Sequence, residues 1–189
     1  MSKQLTIERP QKVVIGNCTL YNCDFRDVLP EIKSARVRGS IPEKVCAWIY
    51  NANTPRQWRG VAWFDCKPDM SLDGQDYKNP TDKRIKERIA NGERARLYDW
   101  WEFQQVKNVS AEKTEHPCQM PVALLERIIK ITPCDTIFEP FLGSGTTAAA
   151  AQRLGRKIIG CEIDPKYFDI ACKRLESELP CEYRAEIEK

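Results

Sequence analysis

Residues 136–167, TIFEPFLGSGTTAAAAQRLGRKIIGCEIDPKY, decide the fold. An apolar, β-prone segment (Thr136, Ile137, Phe138) runs into Glu139 and Pro140, and a Gly-Ser-Gly turn follows at Gly143–Gly145. The alanine-rich run from Thr146 to Leu154 is strongly helix-forming, and Gly155 is placed to end it. A second apolar segment, Lys157 to Cys161, stops at another carboxylate, Glu162. Strand, glycine turn, helix and strand make a βαβ unit, whose crossover is right-handed in nearly every case.

The polar residues carry the chemistry. Ligands of an open parallel sheet sit beyond the carboxyl ends of its strands. Glu139 and Glu162 both fall at such ends, 23 positions apart, with the glycine turn between them. That spacing suits a turn followed by an acid that grips ribose hydroxyls. Glycine also lets a ligand approach where a Cβ would collide. Two nucleotide-like ligands fit the outline. Gly143-Ser-Gly145-Thr-Thr-Ala148 satisfies G-x-G-x-x-G/A, the dinucleotide pattern, which taken alone is weak. An acid ahead of the loop is a poor neighbour for pyrophosphate. It better suits a cation such as S-adenosylmethionine, with its sulfonium and ammonium. A purely structural βαβ unit is the bland alternative.

The segment FEPFLGSGTTAAAAQRLGRKIIGCEIDPKYFDIACKRL resembles the cofactor motif of amino-group DNA methyltransferases, D-P-F-x-G-S-G-T followed by G-x-E and Tyr. The upstream run HPCQMPVALLERII, His116 to Ile129, resembles the family's H-P-x-x-x-P motif. The likeness is closest to phage and prophage adenine-N6 methyltransferases and covers most of the chain from Ala47 onward, plus a short amino-terminal piece. It implies S-adenosylmethionine as cofactor and duplex DNA as partner. It implies a cofactor site at Asp24, His116, Pro117, Glu139, Pro140, Phe141, Gly143, Ser144, Gly145, Thr146, Glu162 and Tyr167. Within that set Asp24 would touch the adenine, and the His116 loop would touch the methionine end. For Asp24 a helix N-cap is the competing reading, and for Tyr167 packing against the sheet.

Two departures stand out. Glu139 occupies a position where the family usually has Asp. More severely, the [Asp/Asn/Ser]-Pro-Pro-[Tyr/Phe/Trp] loop is missing, and no adjacent prolines occur anywhere in the chain. In the resembled family that loop accepts the two hydrogens of the target amine and stacks on the extruded base. Without it no catalytic residue is identifiable. Asn51 and Asn53, just after a strand, are the only substitute acceptors in view.

With 189 residues, 42% hydrophobic and 30% charged, the chain is ordinary globular material, and one domain is the default at this size. The net charge of +3 is too small to argue for nucleic acid by itself, so any DNA contact rests on local clusters. The helix expected after Thr81 or Asp82, TDKRIKERIANGERAR, supplies one through Lys83, Arg84, Lys86 and Arg88. Its bland reading is a solvated face braced by an Asp82–Lys86 pair. Arg56 and Arg59, in an expected polar turn from Asn51 to Arg59, supply another. Tyr98, Trp100, Trp101 and Phe103 form an aromatic group that suits core more than base stacking. Nine cysteines without a Cys-x-x-Cys pair, and a single histidine, point to buried reduced thiols rather than zinc. No secretory signal or membrane-length apolar run is present, which fits a soluble cytoplasmic protein.

The expected fold is a Rossmann-like α/β methyltransferase, a three-layer αβα sandwich, permuted and abbreviated, in one domain over 1–189. Residues 1–33 supply an adenine-contact strand and helix, 45–115 central strands and the basic helix, and 116–180 the cofactor-binding half. Strands are expected at Val13–Ile15, Thr19–Cys23, Val45–Tyr50 and Val61–Cys66. Val45–Tyr50 is expected to lie beside Thr136–Phe138, covering an edge that is otherwise open to aggregation.

Overall fold

The computed structural model describes residues 11–28 and 41–179. In chain order the elements are β1 (Gln11–Ile15), β2 (Cys18–Asn22), α1 (Phe25–Val28), β3 (Lys44–Ile49), β4 (Trp58–Trp63) and β5 (Gly74–Gln75). There follow α2 (Lys83–Ala90), β6 (Ala95–Arg96), β7 (Trp100–Glu102), α3 (Val122–Ile131) and β8 (Thr136–Glu139). The last three are α4 (Thr146–Arg153), β9 (Lys157–Glu162) and α5 (Pro165–Glu178). The rest of the adenine-contact piece expected over residues 1–33 and the charged tail beyond Leu179 lie outside the described residues. Two compact units emerge. One draws on Met1–Ala35, Val106–Val122 and Asp135–Lys189, the other on Arg36–Gln105 and Ala123–Cys134.

The first unit is built on a four-stranded sheet in the order β1-β2-β9-β8. A tight turn joins β1 to β2, with Gly16 at φ +54°, a left-handed value that glycine takes without a Cβ clash. β2, β9 and β8 run parallel, so the expected βαβ unit is present, with α4 as its crossover helix. Cys18 and Leu20, two apart on β2, are fully buried. The first six residues of α4 are buried as well, which explains its alanines: larger side chains would force it away from its neighbours. Along α5 the buried residues Phe168, Ala171, Cys172 and Leu175 follow the helical period. Burial of side chains the size of Phe168 or Leu175 stabilises by about 1.5–3 kcal/mol each. Asp164 caps this helix by accepting from the Lys166 amide at 2.8 Å, and Pro165 sits in its first turn.

The second unit holds the three-stranded sheet β4-β3-β7 and the ribbon of β5 with β6. Here one expectation is overturned. β3 pairs with β4 and β7, and β8 pairs only with β9 among the described residues. Cys46 and Trp48 bury one face of β3 within its own sheet, so hairpin pairing with the nearby β4 satisfies this strand. The second aromatic strand is also displaced, to Trp58–Trp63 from the expected Val61–Cys66. Pairing in register with β3, Ile49 opposite Trp58 and Lys44 opposite Trp63, sets its bounds. Asp65, at φ +54°, turns the chain just beyond it. The aromatic group divides: Trp101 is buried, whereas Tyr98 is exposed and stacks on Trp100 at 6.1 Å.

All eight described cysteines are free, and burial pushes the Cys18 and Cys161 thiols up to about 12. The buried ones, Cys18, Cys46, Cys161 and Cys172, behave as small hydrophobes. Among the described residues no helix is long and apolar enough to cross a membrane.

Candidate functional site

The glycine turn is pinned from both strand ends of the first unit. The Leu142 amide donates to the Cys161 carbonyl at 2.8 Å, and the Leu142 side chain is buried. A Cβ on Gly160 would lie 2.8 Å from Leu142 Cδ1, so the bare backbone of β9 makes room for this plug. Gly143 and Gly145 take left-handed φ values of +54° and +74°. A Cβ on Gly145 would meet that of Ala171 at 3.0 Å, so glycine also permits close packing on α5.

Both acids singled out by their strand-end positions turn toward this loop. Glu139 Oε1 accepts the Phe141 amide at 3.1 Å and its Oε2 accepts the Thr147 hydroxyl at 2.9 Å. Glu162 Oε2 accepts the Gly143 amide at 2.7 Å, while its Oε1 accepts the Asp164 amide at 2.9 Å. The two carboxylates therefore brace the turn through hydrogen bonds. Burial raises the Glu139 pKa, opposed by its two hydrogen bonds. Thr147, the second of the twin threonines, is a partner that the spacing argument missed. Its only signal was a polar residue in the first turn of an apolar helix.

His116 closes one side. A Cβ on Gly143 would stand 3.0 Å from His116 Nε2, and the imidazole lies edge-on to Tyr167 with ring centres 4.6 Å apart. Its Nδ1 accepts the Cys118 amide at 3.3 Å, so the proton of the neutral ring belongs on Nε2. Burial lowers the His116 pKa, with Glu162 opposing and Lys113 assisting. Tyr167 thus packs on the site's histidine.

Phe141 is 74% exposed beside the turn, and its ring meets Phe25 edge-on at 5.3 Å. Pro117 is exposed and Pro140 half-buried. Ser144 and Thr146 are buried. Asp24 is bound to its neighbour: its Oδ1 accepts the Arg26 amide and Nε, at 2.9 and 2.8 Å. Those bonds hold its pKa down at about 2. The capping interaction at the start of α1 is therefore present.

In the second unit, α2 buries none of its residues, and Lys83, Arg84 and Lys86 are exposed. Arg88 is engaged with Glu93 at 2.8 Å. Asp82 Oδ1 caps the helix through the Arg84 amide at 2.9 Å, so its carboxylate serves the helix end rather than the expected pair with Lys86. Arg56 is exposed in the turn after β3. Arg59 lies within β4 instead, its guanidinium 5.5 Å from the Trp48 ring and 6.0 Å from Tyr50. Asn51 and Asn53 are exposed in that turn. No metal-binding group of three or more His, Cys, Asp or Glu occurs among the described residues.

A family profile described as DNA methylase matches residues 10–173. The type II methyltransferase M.ScaI of Streptomyces caespitosus is 49% identical over 86 residues, which are 42% of this chain and 28% of that protein. DNA adenine methyltransferase YhdJ of Escherichia coli (strain K12) is 41% identical over 93 residues, 47% of this chain and 32% of that protein. The match thus spans about a third of either curated relative. Among solved structures, PvuII DNA methyltransferase (cytosine-N4-specific) aligns with a TM-score of 0.50 at 19% identity, over 86% of this chain and 60% of that one. The fold is accordingly the Rossmann-like α/β fold of S-adenosylmethionine-dependent methyltransferases.

Proposed function

The chain belongs to the DNA methylase family, and from that premise we propose that it is a site-specific DNA adenine-N6 methyltransferase that uses S-adenosylmethionine. The likeness to phage and prophage enzymes belongs to the same proposal, and adenine as acceptor draws support from the adenine methyltransferase relative. The observation that carries the cofactor reading is the convergence of Glu139 and Glu162 on a side-chain-poor turn. Two carboxylates there complement a cation, and Gly143 leaves the backbone bare where a Cβ would stand 3.0 Å from His116 Nε2. When bound, S-adenosylmethionine supplies an electrophilic methyl group on a sulfonium.

The chain's own residues would divide the work. Glu162 keeps lone pairs free for ribose hydroxyls beyond those used on Gly143 and Asp164. Phe141 offers an exposed apolar face. Asp24 would meet the adenine, with His116 and Pro117 at the methionine end. Lys83, Arg84 and Lys86 would meet DNA phosphates, with Arg56 a further candidate.

A second reading is favoured by the lack of adjacent prolines: a module that binds cofactor or DNA without transferring methyl groups. Calorimetry with S-adenosylmethionine and with NAD tests the cofactor, and tight binding of NAD alone would sink the assignment. Transfer of radiolabelled methyl to duplex DNA, with digestion to nucleosides, separates the two readings and identifies the methylated base.

A further inference from the structure

We propose that Arg174 is a positioning residue, the internal strut that holds the Gly143–Thr146 turn against the segment carrying His116. The inference rests on the cofactor reading above for its functional consequence, though not for its structural one.

Arg174 projects from α5 with a side chain only 9% exposed. Its Nη1 reaches two loop acceptors, the Ser144 carbonyl at 3.4 Å and Thr146 Oγ1 at 3.2 Å. Its Nη2 lies 3.5 Å from Glu112 Oε2, an ion pair outside good hydrogen-bond geometry, and is a buried nitrogen without a hydrogen-bond partner. Glu112 is itself an anchor: the same Oε2 accepts the Val122 amide at 3.2 Å, and its carbonyl accepts Gln119 Nε2 at 2.5 Å. Gln119 in turn accepts the amide and hydroxyl of Thr114, two residues before His116. A continuous path therefore runs from the glycine turn through one guanidinium to the histidine segment.

The energetics argue for geometry over stability. A buried ion pair loses solvation comparable to its Coulomb gain, so it is weak evidence of net stabilisation. A planar guanidinium, however, fixes two directions at once, toward the turn and toward Glu112, which a point-charge ammonium cannot do. Arg174 Nε also lies 3.9 Å from Glu178 Oε1, the carboxylate that the half-exposed Arg153 meets at 2.9 Å. Arg156 offers the contrast: it pairs with the fully exposed Asp135 at 3.1 Å.

Amide hydrogen exchange and S-adenosylmethionine titration on the full chain test the strut, with R174M, R174K and R156M compared with wild type. In the ligand-free protein R174M should speed exchange across residues 141–149 and 112–119, with R174K intermediate. Cofactor affinity should fall about tenfold or more in R174M, the scale of one lost charge-assisted contact. R156M, which removes an exposed ion pair, should leave both readings at the wild-type value. Should R174M fail to fold, R174K keeps the charge, loses the fork and carries the same comparison. Wild-type exchange in the folded Arg174 variants would overturn the proposal. If wild type ignores the cofactor while exchange responds to R174M, the cofactor reading fails and the strut stands.

Discussion

Glu162 Oε2 accepts the backbone amide of Gly143 at 2.7 Å, so the acid at the end of β9 is a hydrogen-bond partner of the turn that follows β8. Its other oxygen accepts the Asp164 amide at 2.9 Å. One carboxylate thereby sets the turn and the start of α5 together. Glu162→Gln should expose the distinction between bracing and charge. An amide keeps one good acceptor and turns an NH₂ toward one of the two backbone donors. Loss of one such contact costs about 1–3 kcal/mol, read as a lower midpoint in urea unfolding. Affinity for S-adenosylmethionine should fall as well, because the carboxylate charge proposed to meet the cofactor is gone. Unchanged stability with unchanged affinity would show that Glu162 does neither job.

Gly143 offers a sharper steric test. Its φ is +54°, and a Cβ would sit 3.0 Å from His116 Nε2. Gly143→Ala should destabilise by about 1–2 kcal/mol through the left-handed backbone, plus whatever the imidazole loses by moving off Tyr167. Gly155→Ala is the control: φ there is +66°, yet nothing stands within 4 Å of a Cβ. Both variants should melt lower, and only Gly143→Ala should weaken cofactor binding.

Much of this arrangement was legible in the chain because local chemistry dictated it. Apolar segments ending at Glu139 and Glu162 around two glycines leave few alternatives to a βαβ unit, and Asp164-Pro165 marks a helix start unambiguously. What escaped was set by pairing at a distance. β3 is apolar enough to suit either sheet, and only its register with β4 decides its place. Arg59 was misplaced for the same reason, since a polar turn and a solvent-facing strand position look alike in composition. Arg174 was invisible as a strut because its contacts with Ser144 and Thr146 span 30 and 28 residues.

Two titrating groups at the turn pull stability in opposite directions with pH. Burial lowers the His116 pKa below its ordinary 6.5, so the folded protein holds fewer protons there than the unfolded chain. Its contribution is complete above 6.5 and is lost as pH falls through the folded value. Burial raises Glu139 above its ordinary 4.5, so its contribution is complete below 4.5 and is lost as pH rises through the folded value. Urea midpoints measured from pH 4 to 7.5 should rise less steeply in H116Q than in wild type around pH 6. In E139Q the loss above pH 4.5 should vanish. The reverse slopes would show that the two groups do not experience the burial the structure gives them.

The basic helix makes the cleanest separation between fold and partner. Lys83, Arg84 and Lys86 are exposed on a helix with no buried residue, so replacing them with alanine removes charge without opening a cavity. Each phosphate contact that is lost should reduce the slope of log K against log salt by about one. Binding of a duplex oligonucleotide, followed by fluorescence anisotropy between 50 and 300 mM salt, reads that slope directly. The triple variant should keep the wild-type melting temperature within a degree or two and flatten the salt dependence. Asp82→Ala, which removes the cap from the Arg84 amide, should instead cost about 1 kcal/mol of helix stability and leave the salt slope alone. A triple variant that binds with the wild-type slope would move the DNA-facing surface off α2 altogether.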